Sequence, residues 1–205
     1  MTKLTALDVM YPAPMVLSLD EKVSVHRARD RAEAGQIILI ERKKIPYGLL
    51  TEENLQKLSD PVSALGDYWE NFELPVLTRP DTPLSILLGG LEKDPLFRWY
   101  LIREGKQIKG VVSPRIRMLA NLPAPARPGK FKLLGHTFSS EIFGNPLSHE
   151  EIQNLEVCYC CSKDPSHDCI SLDTARNTPG FPHVLCPQDS TPMLPMLPCR
   201  RNDCK

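Results

Sequence analysis

No cysteine stands before Cys158; all seven lie between it and Cys204. The longer part of the chain therefore has no thiol chemistry and no disulfide frame, and the tail is chemically set apart from it. A net charge is also missing, because Lys+Arg and Asp+Glu both number 25. Proteins that live on phosphate contacts carry a basic excess, so nucleic acid is not an expected partner. No apolar run approaches the roughly 20 residues that cross a bilayer. The opening, Met1 to Asp8, has no long apolar segment and carries an early acid, unlike a signal peptide. These absences predict a cytoplasmic protein that does not enter a membrane. There is no Gly-rich phosphate loop, no Ser–His–Asp arrangement and no dinucleotide fingerprint. Glu52-Glu53 and Asp20-Glu21 read as solvated helix starts and not as acid–base pairs, so the expectation is a non-enzymatic protein with no catalytic residue.

What is present is a repeat. Ile37 to Asn54 runs as an apolar stretch, a charged turn (Glu41 to Lys44), a second apolar stretch, and Thr51 opening a helix. Trp99 to Ser113 says the same again around Arg103-Glu104-Gly105-Lys106. Ile40 matches Ile102, Gly48 matches Gly110 and Thr51 matches Ser113, each pair 62 positions apart. A unit written twice decides the fold before any single residue does.

In the first copy, Met15 to Leu19 reads as a strand and Val23 to Ala34 as a helix stopped by Gly35. Ile37–Ile40 and Ile45–Leu50 read as a hairpin, and Glu52–Leu58 as a helix capped by Thr51. In the second, Leu74 to Thr78 repeats the strand, and Pro83 opens a helix through Leu91 whose end Gly89-Gly90 weakens. A second hairpin follows, and then a helix to Leu119 with Ser113 as cap and Pro114 in its first turn. Leu122 to Gly129, rich in Pro, reads as a stiff linker. Phe131 to Leu134 reads as one strand, and Ser148 to Leu155 as a short helix with Ser148 and Glu151 as a capping box. The chain divides on this reading into repeat 1 (1–62), repeat 2 (63–122), a Pro-rich linker and connecting segment (123–156) and a Cys/His-rich tail (157–205).

The class is α/β, with tandem β-α-β-β-α repeats. Gly48-Leu49-Leu50-Thr51-Glu52-Glu53-Asn54-Leu55 and Gly110-Val111-Val112-Ser113-Pro114-Arg115-Ile116, with Val16-Leu17-Ser18 and Val76-Leu77-Thr78 upstream, resemble the CBS-domain family over about residues 4–122. The resemblance implies regulatory modules that pair in tandem, often as homodimers, with clefts for adenosine-containing ligands. It places Val16, Thr51 and Asn54 at one cleft and Val76 and Ser113 at the other. The family's ligand-binding copies carry an Asp three residues after the Thr or Ser, bonded to the ribose hydroxyls. Here those positions hold Asn54 and Ile116; the amide retains part of that chemistry and Ile116 none. The alternative is that Thr51 and Ser113 only cap helices.

The tail carries Cys158-Tyr159-Cys160-Cys161, His167-Asp168-Cys169, His183-Val184-Leu185-Cys186 and Cys199 to Cys204. Zinc takes four soft or borderline ligands in a tetrahedron, and a two-residue spacer lets one tight turn present two of them. Cys158/Cys161 and His183/Cys186 have that spacing. Cys186-Pro187 followed by Asp189 resembles the second knuckle of a zinc ribbon, with Asp in place of a final Cys. The expected site is one zinc held by Cys158, Cys161, Cys186 and either Cys169 or His183; two interleaved sites are the alternative. Pro192 to Pro198, with three prolines, is expected to form no regular element and to leave Cys199 and Cys204 loose. The functional expectation is a ligand-sensing or dimerising module whose zinc tail binds an unidentified protein partner. One rival is a redox-responsive thiol protein acting through Cys160 and Cys161. The other is a nucleic-acid-binding zinc module, whose cations would be Lys163, Arg176, Arg200, Arg201 and Lys205.

Overall fold

Both apolar stretches of each copy fold back as hairpins, and the two hairpins agree residue by residue. Ile40 faces Gly48 and Ile102 faces Gly110, each followed at once by a register irregularity, at Ile40/Glu41 and at Ile102/Arg103. The structure, a computed structural model, describes residues 4–12, 14–21, 28, 37–57, 64–65, 68, 71–94, 96–105, 107–117, 130–133, 136–139, 147–164 and 166–199. In chain order the elements are α1 (Ala6–Val9), β1 (Tyr11–Pro12), β2 (Met15–Ser18), β3 (Ile38–Arg42), β4 (Ile45–Leu50), α2 (Glu52–Lys57), β5 (Val76–Thr78) and α3 (Leu84–Lys93). Then come β6 (Tyr100–Glu104), β7 (Gln107–Val112), β8 (Lys130–Leu133), β9 (His136–Ser139), α4 (His149–Gln153), β10 (Cys158–Cys161), β11 (Ile170–Ser171), α5 (Leu172–Arg176) and β12 (Met193–Met196). The first helix expected, Val23 to Ala34, lies outside the described residues except for Ala28, which is helical and buried. The Pro-rich linker lies outside them too.

Each hairpin takes a parallel strand on one side. Leu17 pairs with Ile40 in the first copy and Thr78 with Ile102 in the second. This corrects the sequence alignment by one residue, because Thr78 corresponds to Leu17 and not to Ser18. The residues are β-branched or leucine and buried on both faces, as a strand flanked on both sides requires. Ile38, Ile40, Leu50, Leu55, Leu17, Ala28, Leu65 and Phe72 make one core.

The short segment that opens each copy is exchanged. Tyr11, from the first copy, pairs with Val111 of the second. Glu73, from the second, pairs with Leu49 of the first through two backbone bonds of 2.8 Å. Tyr11 and Glu73 are themselves 62 positions apart. The exchange explains the repeated glycine. A Cβ on Gly48 would lie 2.6 Å from Phe72 Cβ and 3.2 Å from the Glu73 carbonyl oxygen, and one on Gly110 would strike the Tyr11 carbonyl oxygen. Only a residue without a side chain lets the exchanged backbone lie this close.

The chain accordingly forms two compact units, each drawn from several stretches. The first holds residues 1–13, 76–157 and 196–200, and the second 14–75, 158–195 and 201–205. In the first unit β1, β7, β6 and β5 lie side by side, and Met196 pairs in parallel with Leu77. Helix α3 runs on through Gly89 and Gly90 to Lys93. The two glycines are a packing face. A Cβ on Gly89 would lie 2.8 Å from Leu147 Cδ1 and 3.0 Å from Leu155 Cδ1, where the segment around α4 lies against the helix. Ser148 and Glu151 form the expected capping box of α4, and those hydrogen bonds hold the Glu151 carboxyl below its ordinary range. The strand expected near Phe131 is one half of a hairpin, β8 with β9.

In the second unit β10 pairs antiparallel with β11, and α5 follows directly with Ser171 as its cap. One expectation for the tail is overturned: Met193–Met196 is a strand, with Met193 and Leu194 fully buried. A four-residue strand has few ladder bonds to make, so the single proline inside it removes one donor and no more. Among the described residues no helix is long and apolar enough to cross a membrane.

Candidate metal centre

Alternation along one strand sorts the cysteines. All four residues of β10 are buried. Successive side chains of a strand point to opposite faces, so Cys158 and Cys160 share one face and Cys161 takes the other with Tyr159. The Cys158 and Cys160 sulfurs lie 3.5 Å apart. Cys169, one residue before β11, continues the register as the cross-strand neighbour of Cys160, with Cα atoms 4.4 Å apart, and the two form a disulfide. Cys158 and Cys199 are also in disulfide form. The Cys199 N–H donates to the Glu156 carbonyl, and Cys204 lies outside the described residues.

On the opposite face Cys161 meets three groups from elsewhere in the tail. Cys161, His167, Cys186 and Asp189 offer one ligand atom each, all within 4.8 Å of one another. Both cysteines are free thiols and 1% exposed. Cys161 Sγ lies 3.8 Å from each carboxylate oxygen of Asp189, and His167 Nδ1 lies 3.4 Å from Cys186 Sγ.

A tight turn after Cys186 presents two of the four. The Cys186 N–H donates to the Thr191 carbonyl and the Ser190 N–H to the Cys186 carbonyl, which closes the loop. Ser190 sits at φ 57, and Leu185 bridges Pro192. The loop aims backbone N–H groups at sulfur. Asp164 donates to Cys161 Sγ at 3.5 Å, and Gln188 and Asp189 donate to Cys186. Burial pushes the Cys186 thiol up, those N–H donors pull against it, and neighbouring Cys161 adds to the rise. A bound dication reverses that balance, since it favours thiolate outright. Asp189 is held at about 2, first by the Thr191 hydroxyl, with burial opposing and the Thr191 N–H, Cys186 and Lys163 assisting. His167 turns Nε2 toward Asp164, 3.8 Å from Oδ2, leaving Nδ1 for the cluster. A carboxylate behind an imidazole is the usual support of a metal-ligating histidine.

Two thiolates, one imidazole and one carboxylate form a donor set suited to tetrahedral zinc. Of the residues expected from the sequence, the structure brings together Cys161 and Cys186. Cys158 and Cys169 meet on the other face of β10 with Cys160, and His183 joins neither group. His167 and Asp189 complete the set. The sequence sets Asp189 in the Cys186 knuckle in place of a final Cys and His167 beside Cys169, but the expected ligand set holds neither. Cys160 and Cys161, the pair of the rival redox reading, face opposite ways. Among the cations of the tail, Lys163 lies 3.6 Å from Asp189 Oδ2 and Arg176 lies 3.9 Å from Asp173 Oδ1.

The residues expected to bind a small ligand are placed as follows. Thr51 donates to Asn54 Oδ1 from its N–H at 3.1 Å and from its hydroxyl at 2.5 Å, and the Asn54 N–H returns to Thr51 Oγ1. The amide expected to meet a ribose is thus bonded to the cap, and Asn54 is 8% exposed. Val16, in the same unit, is half exposed. In the other unit Val76 is buried, and buried Ser113 accepts from the Arg115 N–H.

No protein-family profile and no curated protein matches the chain. Among solved structures it is similar to the CBS domains of a transcriptional regulator from Streptococcus pneumoniae, at 15% identity and a TM-score of 0.42, over 57% of this chain and 98% of that one. It is similar to a putative acetoin utilization protein, AcuB, from Vibrio cholerae, at 13% identity and a TM-score of 0.43, over 58% and 92%. A third is Hypoxic Response Protein I with two coordinated zinc ions, at 15% identity and a TM-score of 0.41, over 58% and 99%. The matched hairpin registers and the exchanged segments show, within this chain, one unit repeated in tandem.

Proposed function

We propose that the chain is a non-enzymatic regulatory module in which a CBS-like pair serves as a platform and a zinc-ordered tail supplies the surface for a protein partner. The observation that carries it is the meeting of Cys161, His167, Cys186 and Asp189 within 4.8 Å, on an S, N, S, O donor set. Metal bound there ties β10, the loop through His167 and the Cys186 knuckle into one piece, so its binding free energy becomes folding free energy of the tail. The Asn54–Thr51 bonds support a platform over an adenosine sensor at the first copy, since such a ligand must displace them. Self-association of the pair fits the same reading.

Purified protein is expected to carry about one zinc per chain at this site. Cys161→Ser and Cys186→Ser each abolish it, and Asp164→Asn weakens it about 10–100-fold through His167. Unchanged zinc content in both cysteine variants rejects the ligand set. Titration with AMP, ADP and ATP is expected to release no heat; saturable heat lost in Thr51→Ala restores the nucleotide reading.

A further inference from the structure

The face of β10 that turns away from this centre carries chemistry of its own. Three cysteines meet here, and all are in disulfide form: Cys160 with Cys169, and Cys158 in a second disulfide. Cys158, Cys160 and Cys169 offer sulfurs that all lie within 4.8 Å of one another, with no histidine or carboxylate in the group. Cys158 and Cys160 are 4% and 2% exposed, and Cys169 is half-buried. The origin of the cluster is geometric. Residues two apart on a strand project from one face, and the antiparallel partner strand delivers Cys169 beside Cys160. The backbone that converges the sulfurs is held independently of any bond between them. Cys158 pairs with Ser171 and Tyr159 with Ile170, and Ser171 caps α5 through the Thr174 N–H.

We propose that these three residues are a second soft-metal site, present only when the chain is reduced, and that metal and the Cys160–Cys169 disulfide exclude each other. An all-sulfur set selects zinc or another thiophilic ion over magnesium or calcium. The disulfide form offers no thiolate. A dithiol reductant transfers two electrons and two protons to the Cys160–Cys169 bond, giving two thiols while the reductant closes to its own disulfide. A second equivalent frees Cys158 in the same way. Zinc then displaces the three thiol protons to solvent, and water or a further thiolate completes four-coordination. An oxidised environment therefore yields a cross-linked tail and a reduced one a metal-held tail, on one backbone.

The site stands apart from the Cys161 centre, and the two are tested separately. Zinc is counted by elemental analysis and native mass spectrometry on the full chain after incubation with added zinc and removal of the excess, oxidised and then reduced with a phosphine, which does not compete for zinc as a dithiol does. The phosphine takes the oxygen of one water and leaves as its oxide, and the two protons end on the two sulfurs. Wild type is expected to rise from about one zinc per chain to about two on reduction. Cys160→Ser and Cys169→Ser stay at about one, and that retained zinc shows that the tail still folds. Cobalt(II) replacing zinc adds thiolate charge-transfer absorption on reduction in wild type and not in these variants. No gain of metal on reduction overturns the proposal, and so does a gain that survives both substitutions. If Cys161→Ser and Cys186→Ser leave the oxidised count unchanged, the first centre fails. A reduction-dependent zinc that Cys160→Ser removes still upholds the second.

Discussion

Gly48 and Gly110 mark the repeat because another stretch of backbone crosses them, and side-chain volume at that crossing has a definite cost. A methyl group at Gly110 meets a main-chain carbonyl, that of Tyr11, which has no rotamer by which to move aside. Gly110→Ala is expected to lose about 2–3 kcal/mol, in the range of overpacking a tight interior. Gly105 supplies the contrast: its φ is 58, and an added Cβ meets nothing within 4 Å. Gly105→Ala carries only the left-handed penalty of about 1 kcal/mol. Chemical denaturation of the two variants checks the order, and equal losses refute the crossing as the cause. The centre at Cys161 was half legible at this scale. Cys161 and Cys186 belong to the expected set by residue type and two-residue spacing, but that same spacing pointed to Cys158 as the partner of Cys161. That spacing implies a turn, and here the residues form a strand, whose alternation sends Cys158 to the opposite face. His167 and Asp189 arrive through loop geometry, which spacing alone does not encode.

At the scale of elements, the two hairpins solve one turn with different residues. Lys43 and Lys44 both have positive φ, 52 and 63, where the second hairpin has Gly105 at φ 58. A two-residue turn of this kind fits the twist of its strands and favours Gly or Asn. The first turn is held in part from outside, since the Lys43 N–H donates to Asp20 Oδ2 at 2.7 Å. Lys44→Gly keeps that bond and removes one strained residue, so it is expected to raise stability by about 1 kcal/mol. A lower melting temperature in this variant would show that the lysine side chain contributes more than its backbone strain costs. The hairpins were legible because continuous apolar runs around a charged turn have few other solutions. Strand β12 was not, because three prolines outweigh four residues in any local reading, and only burial of Met193 and Leu194 supports the strand. Gly89 shows the same limit of a local reading: propensity sees a weak helix end, and only the structure shows that packing of Leu147 and Leu155 needs the space.

For the whole molecule, the exchange of opening segments sets how the chain can come apart. The first unit requires residues 1–13, although everything from 14 to 75 belongs to the second. Leu4, Ala6 and Val9 are 6% exposed or less, and the Ala6 and Leu7 N–H groups donate to Thr82 and Pro80 while Leu4 accepts from Leu84. Burying a Leu and a Val contributes about 1.5–3 kcal/mol each, so the segment supplies about 3–6 kcal/mol. That is comparable with the total stability of an ordinary domain, about 5–15 kcal/mol. Removing residues 1–13 also uncovers the edge of β7, where Val111 and Gly110 pair with β1, and an uncovered edge of apolar residues invites other strands. The truncated chain is therefore expected to melt earlier and to associate, as read by calorimetry and light scattering. The zinc proposed at Cys161 and Cys186 is expected to remain, because those residues lie wholly in the second unit. A synthetic peptide of residues 1–13 added in trans is expected to restore the monodisperse state and the melting temperature. Failure of the peptide together with loss of zinc would mean that the two units fold as one, and that the segment acts through the chain as a whole.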